Sequence, residues 1–212
     1  MKLLIFGPTG GTGAHLLAQA LEAGHDVTVV ARHPERIPAP SHAQPTVITG
    51  DALDPQTWKD KVAGHDAILS CLGSTDRKNP TTVYSQGTAN IIEAMRPAGV
   101  RRLICLSSAG LDIPADTPLL QRLVTRHVIQ RLYRHGYTDM RIMEGLVALS
   151  DTDWTIIRPP MLTNGPLTRH YRTATGQHLT QPKSIPRADL AHYLLHHIED
   201  QDTWRHRIEI ST

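Results

Sequence analysis

The feature that most constrains this chain is a cluster of glycines near its start, in the stretch LLIFGPTGGTGAHLLAQAL (residues 3–21). An apolar run leads to Gly7, and a helical pattern rich in alanine and leucine follows Gly13. A strand, a glycine turn and a helix start form a phosphate-binding site, because the first helical N–H groups have no partner inside the helix and the helix dipole favours an anion. The stretch therefore predicts a dinucleotide-binding turn.

The glycine spacing is G-x-x-G-x-x-G, which differs from the G-x-G-x-x-G of many dehydrogenases. Gly7 is expected to allow the tight turn, Gly10 to let the backbone approach a pyrophosphate, and Gly13 to permit close packing of helix on strand. Pro8 has no N–H group, so the donors are assigned to the next four residues, Thr9, Gly10, Gly11 and Thr12. Glycines also serve plain strand-helix turns, and the position at the first strand of an alternating chain favours the nucleotide interpretation.

Short β-branched runs alternate with helical patterns along the chain, which predicts an α/β fold: a Rossmann-type doubly wound parallel sheet of about seven strands, with helices on both faces. The predicted strands are 2–6, 26–31, 46–49, 66–71, 102–106, 153–157 and 206–211. The predicted helices are 12–24, 56–63, 81–98, 119–149 in pieces, and 187–199. We expect residues 1–212 to form one domain, in which the proline-rich segment 33–45 is a loop.

Composition narrows the classes of partner. With 212 residues and 40% hydrophobic content the chain can bury a full core, and its charge of +2 is not concentrated in any basic run that would indicate a nucleic-acid surface. No apolar stretch approaches the roughly 20 residues of a membrane helix. Cys71 and Cys105 lie in apolar strand-like runs, which favours reduced core thiols. We expect a soluble, cytoplasmic protein with a small-molecule partner and no contact with nucleic acid or membrane.

The second predicted strand ends at Arg32, nineteen residues after Gly13, where an NAD-specific fold would place an acid. A guanidinium there suits the 2′-phosphate of NADP, because it can pair with a phosphate through two parallel hydrogen bonds. Arg36 is placed to assist. The sequence therefore favours NADPH over NADH, although two solvated loop arginines would give the same pattern.

Further candidate contacts follow the third and fourth strands. Asp51 and Leu53 are placed to bond and cover an adenine ring, while Asp51 and Asp54 could instead cap the helix predicted at 56–63, which is the favoured role for Asp54. Leu72 and Gly73 end the fourth strand and are expected to border the cofactor trough at the topological switch point.

Ser107 and Ser108 close the fifth strand at its carboxyl end, where α/β enzymes gather their chemistry. Ser108 is the candidate catalytic residue, able to hydrogen-bond a nicotinamide amide or a substrate, and the alternative is a serine that only caps the turn. The segment 159–183 is long and turn-rich, which predicts a flap on the substrate side.

Together these segments resemble the atypical short-chain dehydrogenase/reductases with an NAD(P)H-binding, NmrA-like domain, and within them the biliverdin reductase B (NADPH-dependent flavin reductase) group. The resemblance covers nearly the whole chain and is most specific in 66–98 and 159–171. Besides the glycine motif, it rests on VARHPER, GDALD, CLGSTDRKNPTTVYSQGTANIIEAM, LICLSSAG, RPPMLTNGPLT and RADLAHYLL.

The resemblance implies a Rossmann protein, monomeric or weakly homo-oligomeric, that passes a hydride from NADPH to flavins or linear tetrapyrroles. Some NmrA-like proteins instead bind NAD(P) without turnover and report redox state to a partner, and this alternative stays open. Carried over to this chain, the cofactor contacts fall on Gly7, Thr9, Gly10, Gly11, Thr12, Gly13, Arg32, Arg36, Asp51, Ala52, Leu72, Gly73, Ser108, Pro159 and Pro160.

Two departures from related patterns shape the expected chemistry. Short-chain dehydrogenases that oxidise alcohols carry a tyrosine with a lysine four residues later, and here no tyrosine has one: the residues at that position are Thr88, Tyr137, Arg141, Thr175 and His197. This argues against dehydrogenase or epimerase chemistry and fits flavin reduction. Met161 stands where the biliverdin reductases have a histidine, so we expect an apolar wall at the substrate that favours flavins over bilins.

Other features receive structural interpretations. His192 and His196 lie one helical turn apart without a third ligand nearby in the sequence, so no metal is expected. Asp139 and Glu144 match the family pattern and are expected to have structural or capping roles. Arg187 and Asp189 open the last helix, where helix-start electrostatics account for Asp189.

Overall fold

The computed structural model of the protein describes residues 1–38, 43–113 and 117–212. The predicted loop 33–45 is therefore described only in part, because residues 39–42 lie outside those ranges. The strands are β1 Lys2–Phe6, β2 Asp26–Ala31, β3 Thr46–Thr49, β4 Ala67–Ser70, β5 Arg102–Leu106, β6 Asp153–Arg158, β7 Met161–Thr163, β8 Arg172–Thr175, β9 Ser184–Pro186 and β10 His206–Ser211. The helices are α1 Gly11–Glu22, α2 Ser85–Ala98, α3 Leu119–Val124, α4 Gln130–Leu132, α5 Arg134–Leu149 and α6 Arg187–His196, and Thr125–Ile129 is a π-helical segment.

Eight strands form one sheet in the order β3-β2-β1-β4-β5-β6-β10-β8, and β7 pairs with β9 separately. Every pairing in the large sheet is parallel except that of β8 with β10. This is the Rossmann arrangement, and the strand order reverses between β1 and β4, which is where such folds bind nucleotides. The predicted fold class is confirmed, with eight strands in place of about seven.

Two apolar layers cover the sheet because alternate residues of each strand point to opposite faces. Leu3 and Ile5 of β1 pack with α1 and α6, whereas Leu4 and Phe6 pack with α2 and α5. The second layer includes Trp58, whose ring meets Phe6 edge to face at 4.8 Å between centroids. Helices therefore press on both faces of β1 and fix the position of its carboxyl end.

The helix predicted at 56–63 is wrong: the chain forms two 3₁₀ turns there, Pro55–Thr57 and Lys59–Lys61. The fully buried Trp58 separates them, with φ −141°, and its indole Nε1 donates to the carbonyl oxygen of Asp51 at 2.7 Å. Anchoring this ring in the core draws the backbone away from a helical path. Asp54 accepts from the N–H of Gln56 at 3.3 Å, which is the capping role expected for it.

The segment 159–183 is more regular than its turn-rich sequence predicts. It contributes β7 to the small sheet, and β8 forms an edge of the large sheet. Only one of the four residues of β8, Arg-Thr-Ala-Thr, is even half-buried, so the strand lacks the apolar alternation by which strands are recognised. Backbone pairing with β10 alone defines it.

Helix α2 begins at Ser85, four residues later than predicted, because the buried carboxylate of Asp139 caps it. That carboxylate accepts from the N–H groups of Tyr84 and Ser85, at 2.8 and 3.3 Å, and from the Ser85 hydroxyl. Asp139 belongs to α5, so the cap also ties α5 to α2, which agrees with the structural role expected for it. Among the described residues, no helix has both the length and the apolar character needed to cross a bilayer.

A second buried carboxylate, that of Glu144, ties α5 to two strands and to the residue that follows β5. It accepts from Ser107 at 2.7 Å, from Arg158 of β6 at 2.5 and 2.8 Å, and from Arg207 of β10 at 2.8 Å. Burial by itself would raise the pKa of Glu144, but the hydrogen bonds from Arg158 and Ser107 and the charge of Arg158 outweigh it, so the pKa lies below its ordinary value. The carboxylate is thus held in its charged form.

Replacing Glu144 by alanine should therefore destabilise the protein strongly. The variant leaves Arg158 and Arg207 without their shared partner, and we expect a loss of about 3 kcal/mol in the free energy of unfolding, measured by urea denaturation at neutral pH. Because the folded-state pKa is lowered, this contribution is present above the unfolded pKa and is lost as the pH falls through the folded value, so the two proteins should converge below about pH 4. Glu93→Ala, on the exposed side of α2, is the matched control, and an equal loss in both variants would contradict the account.

Candidate functional site

The glycine turn between β1 and α1 is set by close approaches between backbone atoms. Gly7 has a φ of +75°, and a Cβ on it would lie 2.5 Å from the carbonyl oxygen of Cys71. A Cβ on Gly13 would lie 2.0 Å from the carbonyl oxygen of Gly7. Both distances are far inside van der Waals contact, so the fold itself requires glycine at these two positions.

Gly10 is different, because nothing in the fold requires it to be glycine. Its φ and ψ of −78° and 160° suit any residue, and a Cβ would meet only the Gly7 oxygen at 3.4 Å. Gly10 is also the N-cap of α1, which has no side-chain cap and no acid in its first turn. The N-terminus of α1 therefore has no side-chain cap and no acid of its own, which fits the pyrophosphate predicted there.

The hydrogen bonds of the turn refine the predicted set of donors. The N–H of Gly10 donates to the oxygen of Gly7 at 3.2 Å, so it is used within the turn. The N–H groups of Gly11, Thr12 and Gly13 lie in the first turn of α1 and have no intrahelical partner. Three adjacent backbone donors at the positive end of a helix dipole suit an anion.

Arg32 and Asp51 meet where β2 and β3 end. The Arg32 guanidinium lies 3.8 Å from the Asp51 carboxylate, and its side chain is 63% exposed. Asp51 also accepts from the N–H of Leu53 at 3.0 Å, so it braces the loop after β3. Arg36 lies on the exposed 3₁₀ turn Pro34–Arg36. The arrangement leaves the Arg32 head group free to face an anion from solvent.

The cofactor contacts predicted after β3 and β4 also lie at the carboxyl ends of the strands. Ala52 is buried, and its carbonyl accepts from the side chain of Asn90 in α2 at 2.8 Å. A Cβ on Gly87 of α2 would lie 2.9 Å from Leu72 Cδ1 and 3.4 Å from Ala52 Cβ. The residues that follow β3 and β4 are thus packed together against α2. Gly73 follows Leu72, and a Cβ there would meet only the hydroxyl of Tyr84 at 4.0 Å.

At the end of β5, the two serines have different partners. Ser107 is buried and donates to Glu144, whereas Ser108 is half-buried and its Oγ lies 3.4 Å from the hydroxyl of Tyr137. Ser108 Oγ also accepts from the N–H of Gly110 at 3.2 Å, so it caps a turn as the alternative interpretation proposed. Its hydroxyl proton remains available to Tyr137 or to a ligand.

Tyr137 was missed in the sequence, because the residue four positions later is Arg141 and not lysine. The structure nevertheless brings this tyrosine to Ser108, and a Cβ on Gly110 would lie 2.3 Å from its hydroxyl. Arg141 donates to the carbonyl oxygen of Leu111.

Tyr137 stacks on Tyr133 at 5.8 Å between centroids. The stack continues to Arg77, whose guanidinium carbon lies 4.8 Å from the centre of the Tyr133 ring. An aromatic wall with a cationic end thus starts at Ser108.

The segment that follows β6 lies next to the same serine. The carbonyl of the buried Pro159 accepts from the N–H of Ala109 at 3.0 Å, which fixes Pro159 beside Ser108, and Pro160 is half-buried. Met161 opens β7 and is 69% exposed. The geometry leaves Met161 able to contact a ligand without enclosing one.

Asp189 does more than stabilise the start of α6. It is in the first turn, as expected, but its carboxylate is fully buried and accepts from the N–H groups of Thr168 and Arg169 and from the Thr168 hydroxyl, each at 2.7 Å. Arg169 has a φ of +62°, an unfavourable conformation for a residue with a side chain. Asp189 therefore anchors the 159–183 segment to α6. No local pattern in the sequence reveals this contact, since the partners are twenty residues apart.

Arg187 lies across the glycine turn. A Cβ on Gly11 would come within 2.7 Å of its Cδ and Nε atoms, and its guanidinium donates to the side-chain oxygen of Asn164 at 2.6 Å. Its charge is thus held beside the open N-terminus of α1, a role that the sequence did not suggest. His192 hydrogen-bonds Tyr171 at 2.8 Å and stacks on His196 at 3.9 Å between centroids.

Comparison with known proteins agrees with this geometry. A family model described as NAD(P)H-binding matches residues 7–201. A 3-diazoavenalumate denitrifying reductase from a Streptomyces species is 33% identical over 132 residues, which cover 57% of this chain and 42% of that protein. The chain spans only 32% to 42% of the length of the first curated relatives that it matches.

Solved structures resemble the whole chain. A short-chain dehydrogenase/reductase (wide type) from Veillonella parvula DSM 2008, in complex with NADP, is 19% identical with a TM-score of 0.82, over 100% of this chain and 94% of that one. A candidate NADH-flavin reductase from Streptococcus pneumoniae TIGR4 is 21% identical with a TM-score of 0.75, over 100% and 99% of the two chains. At such low identity these likenesses show the fold alone.

The two kinds of glycine in the turn should respond differently to alanine. Gly13→Ala places a Cβ against the Gly7 oxygen, so we expect a loss of about 2 kcal/mol or more in unfolding free energy. Gly10→Ala has room, so its stability should change by no more than about 1 kcal/mol while NADPH affinity falls about tenfold or more. Urea denaturation and fluorescence titration measure the two quantities. Normal NADPH affinity in Gly10→Ala would show that no ligand approaches this residue.

Proposed function

The chain belongs to the NAD(P)H-binding family, and on that premise we propose that it is an NADPH-dependent reductase that passes a hydride to flavins or similar planar acceptors. The observation that carries the proposal is the grouping at one edge of the sheet. The uncapped end of α1, Arg32 after β2, and Ser108 after β5, with Tyr137 of α5 against it, all lie where parallel strands end.

The residues at the carboxyl ends of these strands can each bind a different part of the cofactor. The N–H groups of Gly11, Thr12 and Gly13 would hold the pyrophosphate, with Arg187 balancing its charge. Arg32 and Arg36 would hold the 2′-phosphate. The adenosine would contact Asp51, Ala52, Leu72 and Gly73, with Thr9 at the turn, and the nicotinamide would lie against Ser108, Pro159 and Pro160. Bound in this way, NADPH supplies the hydride.

The proposed acceptor site starts at Ser108. Tyr137 and Tyr133 give flat aromatic surface beside it, and Arg77 ends the stack with a positive charge. A planar, electron-poor ring with an anionic tail fits such a wall, which is the chemistry of a phosphorylated flavin. Met161, in the segment that Asp189 anchors, would give the open side of the ring an apolar contact.

The mechanism that we propose is proximity. A flavin ring nitrogen takes the hydride directly and water can supply the proton, so Ser108 and Tyr137 need only orient the reacting rings. Bilins gain more from an acid near the pyrrole nitrogen, and Met161 offers none. We therefore place flavins ahead of bilins as substrates. The Streptomyces reductase and the Streptococcus flavin reductase candidate support a reductive role by name, although each activity belongs to that protein.

A steady-state assay tests the proposal. Catalytic amounts of the protein should accelerate NADPH oxidation by FMN or riboflavin above the uncatalysed rate, and biliverdin should turn over more slowly under the same conditions. NADPH binding with no turnover of any of these acceptors would instead favour the NAD(P)-sensing alternative. Faster turnover of biliverdin than of either flavin would show that Met161 does not select the acceptor.

Cofactor preference separates the roles of two arginines. NADPH should bind about tenfold tighter than NADH, or about 1.4 kcal/mol. Arg32→Asp should reverse the preference, because the new carboxylate repels the 2′-phosphate and can bond the ribose hydroxyls of NADH. Arg187→Ala should weaken NADPH and NADH equally, since both carry the pyrophosphate. Arg96→Ala, on the exposed side of α2, serves as control. Equal affinity of the native protein for the two cofactors would overturn the role of Arg32.

The orienting role of the hydroxyl pair predicts modest losses of rate. Ser108→Ala and Tyr137→Phe should each lower kcat for FMN by about tenfold or less, the effect of one lost hydrogen bond, while NADPH affinity changes little. Stopped-flow measurement of flavin reduction resolves the step. Activity below detection in either variant would mean an obligatory proton donor, and the proximity mechanism would have to be abandoned.

A further inference from the structure

The helical stretch 119–149 leaves an unusual amount of apolar side chain in water. Among the described residues, fourteen large hydrophobic side chains are exposed, and nine of them lie in this stretch. Leu120 is 76% exposed and Leu149 89%. The nine residues, here termed the apolar face, are Leu119, Leu120, Leu123, Val124, Val128, Leu132, Ile142, Leu146 and Leu149.

The apolar face follows from how the helices pack on the rest of the protein. In α5 the side chains of Met143 and Val147 enter the core, whereas Ile142, Leu146 and Leu149 recur at four- and three-residue spacing on another side. In the preceding stretch, Ile129 and Tyr133 are half-buried, and the exposed leucines and valines again lie elsewhere on the helix. The exposed residues thus form stripes and are not scattered.

The charges of this stretch are all of one sign at the surface. Its only two acids, Asp139 and Glu144, are buried and engaged in capping and ion pairing. The exposed charged residues are arginines: Arg126, Arg131, Arg134 and Arg141. The surface of 119–149 is therefore both apolar and cationic.

From this combination we propose that the apolar face docks onto the surface of an anionic lipid bilayer. Leucine and valine side chains can enter the boundary between head groups and acyl chains while arginines reach lipid phosphates, as in amphipathic helices that lie in the membrane plane. The contact is peripheral and needs no spanning helix. The sequence indicated no membrane partner because no apolar stretch is long enough to span a bilayer, and a peripheral contact needs no such stretch.

The charge and the shape of the apolar face favour a lipid bilayer over a second copy of the chain or a peptide helix. A second copy docked face to face would bring two sets of arginines together, and 119–149 has no exposed acid to pair with them. A peptide helix would need a groove, and neither of two cavities in the described part of the chain, of about 200 and 470 Å³, is lined by residues of 119–149. A flat anionic surface would pair with the arginines and would need no groove. The inference does not depend on the proposed reductase activity.

Co-sedimentation of the full chain with vesicles tests the proposal. The protein should pellet with vesicles of phosphatidylcholine and phosphatidylglycerol, and stay in solution with phosphatidylcholine alone. Raising the salt concentration should release much of the bound protein, because the arginine contribution is screened. Equal binding to both kinds of vesicle, or binding to neither, would overturn the proposal.

Matched variants separate the apolar contribution to vesicle binding from the contribution of the arginines. Leu120→Ser with Leu123→Ser should lower the partition coefficient onto anionic vesicles about tenfold or more, and Arg126→Gln with Arg131→Gln should do the same. The control variants Val47→Ser and Lys59→Gln change exposed residues outside 119–149, so they should bind anionic vesicles as the native protein does. Thermal unfolding of each variant checks that it folds, since these exposed changes should leave stability nearly unchanged.

Two further outcomes count against the membrane. If sedimentation equilibrium shows dimers that the Leu120 and Leu123 changes abolish, while vesicles are not bound, the apolar face belongs to a second copy. If an acidic amphipathic peptide binds and vesicles do not, the partner is a protein. In either case the proposal is wrong, whereas NADPH oxidation by FMN would be unaffected.

Discussion

The contact of Gly13 with Gly7 is the constraint on which the candidate site depends. A Cβ on Gly13 would fall 2.0 Å from the Gly7 oxygen, so α1 can start this close to β1 only without one. The same turn presses against β4, where a Cβ on Gly7 would reach the Cys71 oxygen. Two backbone contacts thus fix the uncapped end of α1 at the switch point of the sheet. Gly10, which the fold leaves free, is the position that a ligand would require.

Three buried carboxylates hold the surrounding loops in place. Asp139 caps α2, Glu144 joins β6 and β10 to Ser107, and Asp189 fastens the segment after β7. Each acid satisfies several donors at once, which offsets the cost of burying a charge. The loops at the carboxyl ends of the strands, which carry the candidate site, are thereby anchored although most of their residues lie outside regular elements.

The sequence was sufficient for seven of the eight strands of the large sheet, because apolar or β-branched runs between turn signals mark them, and β1, β2, β3, β5 and β10 begin and end where predicted. It was insufficient wherever a tertiary contact decides. Trp58 breaks a helix because its ring is buried, and β8 exists through backbone pairing alone. For the same reason Tyr137 and Arg187 were not recognised: each acts beside residues distant in sequence. The exposure of the apolar face is likewise a property of packing, since its leucines look like core positions in the sequence.

Backbone amide shifts during a cofactor titration test the central claim most directly, namely that the end of α1 binds the pyrophosphate. With isotope-labelled protein, NADPH and NADH should both shift the amide signals of Gly11, Thr12 and Gly13 in a saturable manner, because both carry that group. NADPH should move the signals around Arg32 further than NADH does, because only NADPH carries the 2′-phosphate. Saturable binding that leaves the three glycine-turn amides unchanged, and shifts signals elsewhere, would contradict the account.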